Sequence, residues 1–137
     1  MRRWYSSAVL LGFAALLLIG IAGGYLYNYA KARAQLAEKA SLLTGGNPAH
    51  GKALVAAFGC GACHSIPGVP QADAMVGPPL SGIATRVYIA GRLENRPGNL
   101  IRWIENPRAI DPQTVMPPLG VREAQARDIA AFLYTLD

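Results

Sequence analysis

Cys60-Gly61-Ala62-Cys63-His64 is the stretch on which the reading of this chain turns. Two thiols three positions apart lie about one helical turn from each other, and an imidazole follows at once. That spacing lets each sulfur add to one vinyl group of a haem while the next side chain reaches the iron. The expectation is therefore one haem c, held by thioethers at Cys60 and Cys63, with His64 as an axial ligand. Cys60 and Cys63 are the only cysteines among the 137 residues, so no other cysteine pairing competes. Zinc would need a further pair of soft ligands, which the chain lacks. A thioredoxin-like redox pair would need a βαβ context that the surrounding pattern does not offer, and a plain disulfide is the remaining alternative.

Working outward, Asn47-Pro48 supplies a helix cap followed by proline at the first helical position, which predicts a helix running to Phe58 and stopped by Gly59. That helix delivers Cys60. Beyond the motif, residues 65–84 are rich in Pro and Gly without periodicity, a loop that wraps something. Leu100 to Glu105 reads as a short helix closed ahead of Pro107, and it carries Trp103. Residues 110–120 are again loop. In the last segment, Ile129, Phe132, Leu133 and Leu136 fall at i, i+3, i+4 and i+7, an amphipathic helix. No stretch here alternates with period two, so no sheet is expected and the fold class is all-α with long loops. Helices this few bury little against one another, and a large flat apolar group inside would supply the missing core.

An electron carrier needs a second axial ligand that stays fixed in both oxidation states, and a thioether is soft enough to serve. Met116, in Thr114-Val115-Met116-Pro117-Pro118, is the candidate, because prolines stiffen the loop that must hold the sulfur. Met75 is its rival, but it precedes Gly77-Pro78-Pro79 on the loop expected on the His64 side and is read as loop packing. His50 is read as a solvent-facing histidine.

Upstream, Trp4 to Ala30 contains no formal charge, and Ala8 to Tyr29 alone makes a helix of about 33 Å, enough to cross a hydrocarbon core. Trp4 and Tyr5 at one end and Tyr25, Tyr27 and Tyr29 at the other suit the two headgroup layers. A cleaved secretory signal is the alternative, against which the apolar run exceeds the usual signal core. Residues 31–43 lack helix breakers and carry the helix onward until Thr44-Gly45-Gly46. The expected organisation is a transmembrane anchor over 1–30, a helical linker over 31–46 and a haem domain over 47–137. Residues 1–43 hold five Lys/Arg and one Glu (+4), residues 44–137 eight Lys/Arg and seven Asp/Glu (+1), so most of the net charge of +5 belongs to the membrane flanks. A domain that is close to neutral does not suit nucleic acid.

CGACH, then Gly77-Pro78-Pro79-Leu80, then Met116-Pro117-Pro118 and a C-terminal amphipathic helix together resemble a class I cytochrome c over residues 47–137. The resemblance implies that the Pro78 carbonyl accepts the proton of the His64 imidazole. It also implies that the first and last helices of the domain cross through small residues, Gly51 and Val55 against Phe132 and Leu133. Ser81 to Arg86, Ile89-Ala90-Gly91, Asn95 to Leu100 and Trp103 to Pro107 are further similar to cytochrome c domains attached to the copper subunit of haem-copper terminal oxidases. This chain departs from that subunit in having no copper-binding Cys/His/Met set and no β-rich domain.

What the resemblance implies is an electron carrier rather than an enzyme, feeding a terminal oxidase or linked to a quinol-oxidising complex. Haem attachment then places the domain on the outer, periplasmic side of a bacterial-type inner membrane with the N-terminus cytoplasmic, and Arg2 and Arg3 agree with that orientation. Arg86 and Trp103 are candidates to hydrogen-bond the haem propionates. Arg86, Arg92, Arg96, Arg102 and Arg108 form a basic cluster, read as a solvated surface or as a docking face for an acidic partner. The alternatives are a five-coordinate haem acting on peroxide or a gas, should Met116 not ligate, and an electron-accepting subunit of a periplasmic dehydrogenase.

Overall fold

The computed structural model describes residues 2–136, with side chains from Ser7 onward, so the headgroup anchoring expected of Trp4 and Tyr5 lies outside the described side chains. The chain divides into two compact units, residues 1–35 and residues 36–137. The first consists of helix α1, Arg2–Thr44, up to Gln35. Among the described residues one helix is long and apolar enough to cross a membrane, Ser7–Thr44, with a mean hydropathy of 2.3 and none of that window buried. Apolar side chains left fully to solvent over such a length are consistent with a membrane anchor.

The second unit begins with the last turns of α1, at Leu36, ahead of the Gly45-Gly46 pair. Ala40 and Thr44 there are 2% and 1% exposed. The chain then turns through Gly45 and enters α2, Pro48–Ala57. Asn47 caps it as the sequence predicts, its Oδ1 accepting from the amides of Ala49 (2.9 Å) and His50 (3.3 Å). Helix α3 spans Pro97–Glu105 and the single turn α4 spans Pro107–Ile110, each opened by a proline at its first position. Helix α5, Glu123–Leu133, carries the predicted apolar stripe, with Ile129, Phe132 and Leu133 buried.

The domain is mostly helical, with α5 packed on both α2 and α3. The α2–α5 crossing is the closest: a Cβ built on Gly51 would lie 1.9 Å from the Asp128 carbonyl oxygen and 2.9 Å from the Phe132 Cβ. Two helices reach this separation only where one offers no side chain. The crossing is tied at its edge, where the Asn47 amide donates to Asp128 Oδ1 at 2.7 Å. Val55, Leu100, Trp103, Ile104, Ile129 and Phe132 belong to the core behind it. His50 is solvent-facing as expected, its Nδ1 4.0 Å from Asp128 Oδ2.

The expectation that strands are absent needs one correction. Strands β1, Tyr88–Ile89, and β2, Leu93–Glu94, form a two-residue antiparallel pair. It is closed by a tight turn in which the Arg92 amide donates to Ile89 O at 3.0 Å, with Ala90 (φ 51°) and Gly91 (φ 66°) in the left-handed region. Positive φ at both central residues matches the twist of a hairpin, and two residues per strand are too few to show a period in sequence.

At the far end of α5, the Tyr134 hydroxyl donates to Asn95 Oδ1 at 2.8 Å. Burial pushes the Tyr134 hydroxyl above its ordinary value of 10.0. The unfolded chain therefore releases this proton first as pH rises, so folding stability is level below about pH 10 and declines above it, through the folded value. Urea midpoints measured from pH 8 to pH 11 are expected to show that decline, and Tyr134→Phe to reduce it.

Candidate haem site

Gly59, at φ 68°, lets the chain leave α2 sharply into a 3-10 turn, Cys60–Ala62. The turn holds Cys63 and His64 beneath Cys60, whose carbonyl accepts from both of their amides, at 3.2 and 3.0 Å. Both cysteines are half-buried, and burial pushes the Cys60 thiol up. The residues between them must be small on one side: a Cβ on Gly61 would lie 2.7 Å from the Ala72 Cβ.

His64 Nδ1 lies 2.7 Å from the carbonyl oxygen of Pro78. A carbonyl can only accept, so Nδ1 carries the proton and the Nε2 lone pair is left for a metal. The loop that presents this carbonyl is stitched to the motif on both sides, by Gly77 N to Cys63 O at 2.7 Å and Leu80 N to Ser65 O at 2.8 Å. Gly77 lies against the imidazole, since a Cβ there would come within 2.4 Å of Cε1 and 2.7 Å of Nδ1 of His64. Gly77→Ala is expected to displace the ring from the Pro78 carbonyl, seen as loss of the downfield Nδ1 proton signal and a change in haem reduction potential, with haem still attached.

Met116 is half-buried and packs against the core, whereas Met75 is 86% exposed. The Met116 loop is braced locally, the Met116 amide donating to Thr114 Oγ1 at 3.3 Å. Trp103 is 7% exposed, part of the core. Arg86 is half-buried, and its Nη2 donates to the carbonyls of Pro79 and Ser81, the latter at 3.0 Å. Beyond the propionate and surface-charge roles expected of Arg86, the structure makes it a brace on the loop that follows Pro78. Asn95 was missed altogether. Its Nδ2 donates to Ile83 O (2.7 Å) and Arg86 O (2.8 Å), fixing the turn Ile83–Thr85 from which Arg86 emerges. Nothing in the local pattern distinguishes an asparagine that ties two distant carbonyls from one in a loop.

The basic cluster is partly neutralised within the domain. Arg92 pairs with Asp111 at 3.2 Å and Arg96 with Glu94 at 2.6 Å, while Arg102 donates to Asn99 Oδ1 at 2.7 Å.

Two thiols and an Nδ1-protonated imidazole on one turn, opposite no competing ligand set among the described residues, form a donor set that fits haem c. The family model for cytochrome c matches residues 48–137. The chain belongs to the cytochrome c family. Membership implies covalently bound haem c and electron transfer with redox partners, and two cysteines are consistent with one haem. No curated protein and no solved structure matches this cytochrome c significantly.

Proposed function

We propose that this cytochrome c is a membrane-anchored, mono-haem electron carrier of a respiratory chain. It acts as a tethered shuttle or bound subunit that delivers single electrons to a terminal oxidase. The observation that carries the reading is the His64 Nδ1 to Pro78 O hydrogen bond on the CGACH turn, which presets the imidazole as a strong, oriented donor.

In this reading Cys60 and Cys63 would hold the haem through thioethers, and His64 and Met116 would bind its iron. The haem supplies the one-electron couple when bound. Everything else is done by the chain. The Gly77–Ser81 loop, braced by Arg86, keeps the imidazole from rotating; the proline-stiffened segment around Met116 keeps the thioether in place. Fixed donors mean little rearrangement when charge changes, which favours fast transfer. Trp103 and Arg86 are the side chains assigned to the propionates, as hydrogen-bond donors. Residues 1–30 serve as the anchor, 31–46 as the linker and 47–137 as the haem domain. The anchor is read as crossing a bacterial-type inner membrane with the N-terminus cytoplasmic and the haem domain periplasmic. It raises the effective concentration of any partner in the same membrane.

The reading is tested in two steps. The SDS-denatured chain is expected to keep its red colour, and its haem to cycle between ferrous and ferric during respiration of intact membranes. Purification in mild detergent then separates shuttle from subunit, since a bound subunit brings an oxygen-reducing complex with it. A haem that stays in one oxidation state during respiration would sink the proposal.

A further inference from the structure

The Pro78 carbonyl that accepts from His64 Nδ1 is backbone, so its position depends on what grips the chain around it. On one side the grip is the motif itself, through Gly77 N to Cys63 O and Leu80 N to Ser65 O. On the other it is a single side chain. Arg86 Nη2 donates to the carbonyls of Pro79 and Ser81, one and three positions beyond Pro78. A guanidinium on a long stem has many rotamers to lose, so such a brace is only as firm as the backbone it grows from.

That backbone is fixed by Asn95. Its Nδ2 donates to Ile83 O at 2.7 Å and Arg86 O at 2.8 Å, and its main-chain amide donates to Val87 O at 2.9 Å. Two carbonyls at one end of the side-chain amide admit only its nitrogen there, since an oxygen would be repelled by both. The oxygen faces the other way, where the Tyr134 hydroxyl donates to it at 2.8 Å. Asn95 and Tyr134 are half-buried, so losing either partner leaves polar atoms that water serves poorly. Tyr134 is itself well seated: its amide bonds back to Ala130 O at the end of α5, and Leu133 and Leu136 beside it are 3% and 6% exposed.

We propose that Asn95, held by Tyr134, is a positioning residue for the proposed iron ligand His64. It fixes the turn from which Arg86 reaches the Pro79 and Ser81 carbonyls, and through that loop it sets the strength of the His64 Nδ1 to Pro78 O hydrogen bond. The proposal rests on the haem-carrier reading above. A firm bond at Nδ1 makes the imidazole a stronger donor and favours ferric iron, whereas a slack one favours ferrous. A loosened Arg86 would act through its charge in the opposite sense, because moving a cation away from the iron disfavours the ferrous state.

The test uses the full haem-loaded chain in detergent, titrated spectroelectrochemically and read by proton NMR in the ferrous state. At pH 7 neither Asn95→Ala nor Asn95→Asp can donate to the two carbonyls. Both are expected to move the His64 Nδ1 proton upfield and to raise the ferrous to ferric ratio at fixed ambient potential by about three- to tenfold, tenfold being about 59 mV for one electron. Tyr134→Phe keeps the ring and loses only the hydroxyl; it moves both readouts the same way by less, and decides the matter should the Asn95 variants not fold. Added to Asn95→Ala it changes nothing further, because Tyr134 acts through Asn95. Asn99→Ala is the control. Its side chain donates to Glu94 O and accepts from Arg102, so its loss can loosen the hairpin without touching the 83–86 turn, and both readouts stay at wild type. Wild-type readouts in Asn95→Ala and Tyr134→Phe, or a lowered ferrous to ferric ratio with an unmoved Nδ1 signal, overturn the positioning role and leave the carrier reading in place. A wild-type chain without a one-electron haem couple overturns both.

Discussion

Gly51→Ala is expected to destabilise the haem domain by about 3 kcal/mol or more. The new Cβ would sit 1.9 Å from the Asp128 carbonyl oxygen, 2.5 Å from its carbon and 2.9 Å from the Phe132 Cβ. The first two are backbone atoms, so no change of rotamer relieves the overlap and α2 must move off α5. That motion opens the layer containing Val55, Ile129 and Phe132, and it draws the Asn47 amide from its 2.7 Å bond to Asp128. Overpacking a core usually costs about 1–3 kcal/mol, and a clash against backbone belongs at or above the top of that range. A domain of this size has only about 5–15 kcal/mol in all. Urea titration of the haem-loaded protein, read by far-ultraviolet circular dichroism, measures the loss. Gly98→Ala is the control: a Cβ there meets nothing within 4 Å, and the position lies in α3, so its midpoint is expected to hold or rise slightly. A Gly51→Ala midpoint equal to wild type would mean that the two helices do not meet as closely as described.

Met116→Ala removes the proposed second ligand without touching attachment. The expected result is a red protein that keeps its thioethers and loses the weak long-wavelength band of thioether-ligated ferric haem. Its reduction potential should fall by on the order of 0.2 V, a fraction of the ~0.8 V range that axial ligation spans. The iron then has an open position, and binding of azide or carbon monoxide becomes measurable. Met75→Ala provides the contrast, since Met75 lies 86% exposed on the loop that carries the His64 contacts, and it should leave band and potential as they were. If Met116→Ala keeps the band, the thioether comes from another methionine; a wild type that never shows the band returns the ground to the peroxide or gas-binding reading.

Much of the fold was legible because its signals are local. A cap, a proline and a stop at Gly59 place α2; spacing alone exposes the apolar stripe of α5; and CGACH carries its chemistry in five adjacent residues. The bond between His64 and Pro78 was foreseen through resemblance, and it spans only 14 positions. What escaped depends on distance along the chain or on brevity. The hairpin of β1 and β2 has two residues per strand, and α4 is one turn, both below the length at which a period registers. Tyr134 meets Asn95 across 39 positions and Arg127 meets Thr44 across 83, pairings that only the folded backbone creates. The place of Gly77 against the imidazole was hidden for a different reason, because its motif shows that a glycine stands there but not which ring its missing side chain makes room for.

The ending of α1 has a practical consequence. Arg127 Nη1 donates to the Thr44 carbonyl at 3.1 Å, and Ala40 and Thr44 are almost wholly covered. A water-soluble version trimmed to start at Asn47 would strip these covered residues away and leave Arg127 with Glu123 as its remaining partner, so this seal would be lost. One started at Leu36 keeps the seal intact. For the same reason trypsin should spare Lys39, inside the folded unit, while cutting freely at Lys31 and Arg33 once detergent exposes them.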